Sequence, residues 1–262
     1  MVALLNASHG DSMTVINWRA SREHLRSDDV FFFCMAVVAA IAILVGFAHT
    51  YFLAGMMLAP LPSLLVHVHA VVFLTWIVLF ATQISLVATR NVNLHQRVGA
   101  FGFALAAIMI PLGLLTASAR LARQLAHPDQ TSLADVLDLY AAPIFDMLMF
   151  SVFTYFAFRN RSRPTVHKRL ILFATFSLLD AGFDRWSVFD PYPLWQVNLI
   201  CFVPLVLATM VYDRWSTGII QRVTIWSAAF LLTTQEIRHF ISQTESWAHF
   251  AHGVAARVPP FL

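Results

Sequence analysis

The chain has 262 residues, 59% of them apolar and only 12% charged, with a formal net charge of +3. A soluble protein carries about 25% charged residues, so a water-soluble globular domain is excluded and a polytopic membrane protein is implied. The lipid bilayer is the expected partner and nucleic acid is not. Cys34 and Cys201 both fall inside apolar runs, which excludes a disulfide framework and a CxxC metal or redox motif.

Residues 1–30 are mixed and polar and are read as a cytoplasmic N-terminal segment without a cleavable signal. Seven apolar segments follow, at 31–55, 65–88, 99–119, 136–158, 169–188, 194–212 and 222–243. Each is about 20 residues, enough to cross a bilayer as a helix. Backbone in lipid must satisfy its own hydrogen bonds, which favours helices over open sheets. The expected fold is therefore all-α, a seven-transmembrane-helix bundle over 31–243, with a short external tail at 244–262. Pro111, Pro143 and Pro204 lie inside spans as candidate kinks.

The cationic residues are distributed unevenly between the two sides. One side holds Arg19, Arg22, Arg26, Arg90, Arg97, Arg159, Arg161, Arg163, Lys168, Arg169, Arg214 and Arg222. The other holds Arg120, Arg123, Arg185, Arg238 and Arg257. By the positive-inside rule the N-terminus is cytoplasmic and the C-terminus external, as in a bacterial inner-membrane protein. Trp18, Trp215 and Trp226 then fall near the inner interface, and Trp186, Tyr192, Trp195 and Trp247 near the outer one, as an aromatic belt.

The second apolar segment, with its flanks from Leu65 to Ala100, carries His67 and His69 at its start and His95 at its end. Two positions apart, His67 and His69 differ by about 200° around a helix, so at most one faces a central site. His69, Trp76 and Gln83 recur every seven residues as one stripe. A weak two-helix repeat links VNLHQRVGAFGFALA at 92–106 to PTVHKRLILFATFSL at 164–178. It sets His95 against His167, and Arg97 against Arg169.

Ionisable groups within spans are costly and usually line a functional path or pair with one another. His49, His67, His69, Asp146, Asp180, Asp184, Glu236 and His239 all fall in the outer half. Ser177, Asp180 and Asp184 share one helical face, as do Glu236 and His239. Four readings are open. In the first, Asp180, Asp184 and Glu236 are neutralised by Arg185 and Arg238 in a structural network. In the second, His67, His69, Asp146, Asp180, Asp184 and Glu236 supply a divalent metal such as zinc or iron, although no HExxH spacing is present. The third is a proton or small-solute path, and in the fourth a histidine ligates haem. At the inner side, His95 and His167 could ligate one haem b, with Arg97 and Arg169 on its propionates; the alternative is contact with lipid phosphates.

The run HxHxxxFxxWxxLFxxQxxLVxxxxVxLHxxxG, from His67 to Gly99, together with HKRL at 167–170, resembles a bacterial family of multi-span membrane proteins. More distantly, the histidine placement is similar to that of transmembrane ascorbate-reducible b-type cytochromes. That resemblance implies an inner haem between His95 and His167, and gives His67 or His69 the place of one outer ligand. Span four has Leu139 and Ala141 where the other outer ligand would come, so the resemblance supports one haem. The expected function is thus haem-b redox or electron transfer with an external redox partner. Its alternatives are a metal-dependent membrane enzyme or solute or proton carrier at the outer cluster, and a structural or sensing protein with no cofactor.

Overall fold

A computed structural model describes residues 7–54, 63–127, 132–189 and 191–259, the side chains of 7–26, 194 and 195 excepted. The fold is all-helical, 85% helix with no strand among the described residues. The helices are α1 (Ala7–Gly46), α2 (Leu64–Ala88), α3 (Val92–Ala126), α4 (Leu133–Arg159), α5 (Pro164–Phe176), α6 (Asp180–Phe183), α7 (Leu194–Thr217), α8 (Arg222–Ser242) and α9 (Glu245–Ala255). A π-turn at Ala48–Phe52 follows α1.

Local signals explain where these helices start and stop. Asn91 accepts the Leu94 N–H at 3.3 Å, and Thr244 accepts the Trp247 N–H at 3.2 Å. Ser132 Oγ accepts the Asp135 N–H at 3.2 Å and donates to its carboxylate at 2.6 Å, a reciprocal cap. Pro164 opens α5, where its missing N–H costs nothing. Gly218, at φ 77°, closes α7 in the left-handed region that glycine enters without strain.

Among the described residues, five helices are long and apolar enough to cross a membrane: Ser27–Gly46, Leu64–Ala88, Val92–Ala126, Leu133–Arg159 and Gln196–Thr217. Large apolar side chains such as Val71, Val78, Ile108 and Val211 point outward, as a lipid-facing surface requires. The seven segments expected from sequence therefore reduce to five of that kind, and the other two differ for physical reasons. Segment 222–243 is a continuous helix, α8, whose C-terminal half carries Gln235, Glu236, Arg238 and His239. Segment 169–188 is broken: after Phe176 the Leu178 and Leu179 N–H groups bond three residues back, to Thr175 and Phe176, before the single turn of α6 begins. That tightening is the signature of a 3₁₀ interruption.

The broken segment is also the middle of the bundle. Residues 172–180 are all buried, and α5 packs against α1, α4 and α8. Irregular backbone at membrane depth is tolerated where protein rather than lipid surrounds it. Two glycines allow α1 and α6 to meet backbone to backbone. A Cβ on Gly46 would lie 2.1 Å from the Gly182 carbonyl oxygen, and one on Gly182 would lie 2.9 Å from that of Ala42. Trp186 Nε1 also donates to the Ala42 oxygen at 3.2 Å.

At the opposite end of α5, Arg169 is 1% exposed. It donates through Nε to Asp213 at 2.8 Å, through Nη2 to the same oxygen, and through Nη1 to the Thr165 carbonyl at 2.7 Å. Asp213 also accepts from Thr224 Oγ1 at 2.5 Å and the Gln221 N–H at 3.1 Å. One carboxylate thereby joins α5, α7 and the start of α8. Beside it, Lys168 donates to Asp28 at 2.6 Å, and Tyr212 donates to the other oxygen of that carboxylate.

The aromatic belt expected from sequence is corrected in part. Trp215 and Trp226 are exposed, but Trp247 is buried with its indole N–H on the Leu137 carbonyl at 3.1 Å. Trp186 is likewise turned inward. The side chains of Trp18 and Trp195 lie outside the described residues. Residues 245–255, expected as part of a tail, form α9, which packs Trp247 and Ala251 against Leu137 and Tyr140.

Candidate functional site

Toward the end of the bundle where α1 finishes and α2 begins lies a cavity of about 150 Å³. Its walls come from α1 and the following π-turn (Phe47, Tyr51, Phe52), α2 (His69, Phe73), α3 (Gly113), α4 (Pro143, Asp146, Met147) and the broken segment (Leu178, Ala181). Gly113 keeps the α3 wall open, since a Cβ there would lie 2.7 Å from Met147 Sδ and 3.2 Å from the ring of Phe73. Pro143 lacks the N–H that would bond the carbonyl four residues earlier, which loosens α4 at the same level.

His67 and His69 diverge. His67 is exposed, and its Nδ1 bonds the Tyr51 hydroxyl at 2.9 Å. His69 turns into the cavity and stacks on Phe73, ring centroids 4.0 Å apart; its Nδ1 is enclosed without a hydrogen-bond partner. Asp146 faces the same space from α4. It is 4% exposed, and its Oδ1 accepts no hydrogen bond, its nearest cation being Arg238 at 3.7 Å.

Behind Asp146 lies a buried ionic network. Arg238 of α8 donates to both oxygens of Asp180, at 2.5 and 3.2 Å, and stands 3.7 Å from Asp146. Asn198 of α7, with its amide oriented as its neighbours demand, donates to Asp180 Oδ1 at 2.8 Å and accepts from Arg238 Nη2 at 3.0 Å. Gln235, one turn before Arg238, is buried with neither amide atom partnered. A buried polar group left unpaired is unusual and calls for an explanation. Of the six such side-chain atoms among the described residues, five belong to His69, Asp146, Asp184 and Gln235.

The remaining sequence candidates are not drawn into one cluster. Ser177 bonds back to the Ala174 carbonyl at 2.9 Å, so it adds nothing to the face expected of Ser177, Asp180 and Asp184. Arg185 neutralises no carboxylate directly: it donates to the Ala181 carbonyl and lies 4.5 Å over the Phe47 ring. Glu236 is half-buried and forms no hydrogen bond or ion pair among the described residues. His239 and Ser242 instead hold Asp138, at 3.3 and 2.6 Å. Among the described residues no three His, Cys, Asp or Glu side chains gather closely enough to hold a metal ion. His67, His69, Asp146, Asp180, Asp184 and Glu236 thus do not converge as one donor set.

His95 and His167 occupy the first turns of α3 and α5. His167 Nδ1 bonds the Ala157 carbonyl at 3.0 Å. Gln83 donates its amide to His95 Nδ1 at 2.5 Å and accepts from the Gly99 N–H at 2.8 Å. A His95 nitrogen that accepts from Gln83 leaves the ring proton on Nε2, the atom a haem iron would need. Arg97 is exposed, and Arg169 is committed to Asp213 and Thr165, away from any propionate. Arg169 is therefore not available to a haem propionate in this arrangement, while His95 and His167 stand close enough to interact electrostatically. Between the two ends, Trp76 donates to Thr175 Oγ1 at 3.2 Å and packs edge-on against Phe150 at 4.9 Å, which closes the stripe from His69 to Gln83.

Sequence reading missed Asn198, Gln235, Asp138 and Tyr51. The signal for the first two was present: uncharged amides inside an apolar span cost free energy unless they are paired. Compared with known proteins, the chain matches no family model, no curated protein and no solved structure.

Proposed function

We propose that this is a seven-span protein of a bacterial cytoplasmic membrane, N-terminus inside and C-terminus outside, whose outer-leaflet cavity binds a small solute. The observation that carries the reading is the cavity of about 150 Å³ on whose wall His69 and Asp146 each hold an enclosed polar atom without a hydrogen bond. Ligand pockets are mostly apolar, with a few convergent polar groups that fix orientation, and this cavity has that composition. The broken α5–α6 segment and the charged α8 count as spans in this reading because both run alongside α4, and their Arg169, Asp180, Gln235 and Arg238 are buried. Arg238, Asp180 and Asn198 form the rigid back wall that holds Asp146 in place.

The test is thermal stabilisation of the purified chain in nanodiscs by a panel of neutral and charged fragments of about six to eight non-hydrogen atoms, because a cavity of about 150 Å³ admits benzene. Compounds of that size raise the melting temperature of the native chain and leave Ala181→Phe, which fills the cavity, unshifted. If no fragment distinguishes the native chain from the filled variant, the solute-binding reading is wrong.

A further inference from the structure

The charges around the cavity select among solutes. We infer that the cavity takes a small protonated amine, an apolar body with one ammonium group that docks on Asp146. The inference rests on the solute-binding reading and names the ligand's chemical class.

An anion would need a free donor cation on the wall, and the two nearby guanidinium groups are engaged elsewhere. Arg238 is bound by both oxygens of Asp180 and by Asn198, and Arg185 is held on the Ala181 carbonyl and the Phe47 ring. The Tyr51 hydroxyl is taken by His67. What the wall presents is the Asp146 carboxylate, set 3.7 Å from an arginine already satisfied by another acid, and a single nitrogen of His69.

Asp146, Asp180 and Asp184 gather on this side of the bundle with Arg238 and Arg185. Farther out, Arg120 stands near Asp184 and Arg185, and Asp138 near Asp184 is held by His239 and Ser242. Of the three carboxylates, Asp146 is the one on the cavity wall, and its Oδ1 accepts no hydrogen bond there. The aromatic walls suit such a ligand, since ring faces attract cations most strongly where water is excluded.

The experiment measures binding of three probes of nearly equal shape to the full chain in nanodiscs by calorimetry: benzylammonium, benzyl alcohol and benzoate. A charge-assisted hydrogen bond predicts that benzylammonium binds about tenfold or more tightly than benzyl alcohol, with benzoate weakest. Asp146→Asn removes the preference for the amine and leaves benzyl alcohol unchanged. Equal affinity for amine and alcohol in the native chain overturns the inference without any variant, as does an Asp146→Asn protein that keeps the preference. If benzyl alcohol binds and benzylammonium does not, the ammonium assignment falls while solute binding stands. If none of the three binds, both fall.

Discussion

Arg169 and Asp213 form a closed ion pair in which each charge is met by further partners: the Thr165 carbonyl for the guanidinium, and Thr224 and the Gln221 N–H for the carboxylate. Removing one member of such a pair leaves the other buried and uncompensated, at a cost of about 3–5 kcal/mol. Arg169→Met and Asp213→Leu should each lower the thermal midpoint steeply. The double variant should recover much of the loss, because it buries no charge. Unfolding of the three variants in one detergent checks this; a double variant worse than both singles would show that the pair stabilises beyond its own desolvation.

The contact of Gly46 with Gly182 predicts a sharp asymmetry among glycines. Alanine at either position drives a methyl group into backbone that has no side chain to move aside. Overpacking of this kind costs about 1–3 kcal/mol or more. Gly253→Ala on α9 meets only the end of Arg257, at 3.4 Å, and should be neutral. Thermal midpoints of the three variants decide it, and a silent Gly46→Ala would mean that α1 and α6 do not pack this closely.

Orientation has a direct chemical readout. In a background with Cys34 and Cys201 replaced, cysteine at exposed Ser246 should react with a membrane-impermeant maleimide in intact cells. Cysteine at exposed Ser162, beside Arg159, Arg161 and Arg163, should react only after the membrane is opened. The reverse pattern would invert the topology and place the cavity in the inner leaflet.

The inner histidines are tested by a spectrum. With Gln83 donating to His95 Nδ1 and Arg169 turned to Asp213, protein expressed with ample haem supply should show no Soret band. A Soret band that His167→Ala abolishes would restore iron ligation by that residue.

The extent to which the sequence was legible follows from what helical periodicity can and cannot say. The α2 span was readable because 25 residues from Leu64 to Ala88 contain no charge beyond two histidines, and the 200° between His67 and His69 already separated them. Periodicity places a residue on a face but does not name its neighbour. Pairing Arg238 with Asp180 rather than Glu236, or His239 with Asp138, depends on how α8 is rotated against α4 and α7. The interruption at 177–179 had no signal, because Ser-Leu-Leu contains neither proline nor glycine. What accompanies it is tertiary: α1 packs backbone to backbone on Gly182 just beyond it. Trp186 and Trp247 were misassigned to the belt because a tryptophan near an interface reads the same whether its indole N–H faces headgroups or a carbonyl in the core.

The buried charges of the central segment also constrain how the chain is made. Arg169 leaves the ribosome 44 residues ahead of Asp213, and Asp180 emerges 58 residues ahead of Arg238. During that interval the segment holds an arginine and an aspartate without their partners, a state that apolar surroundings disfavour. The segment can settle between α1 and α4 only after the last two long helices arrive. Completion of this bundle is therefore a late event in biogenesis, and a chain that stops before α8 leaves its own middle without its counter-charge.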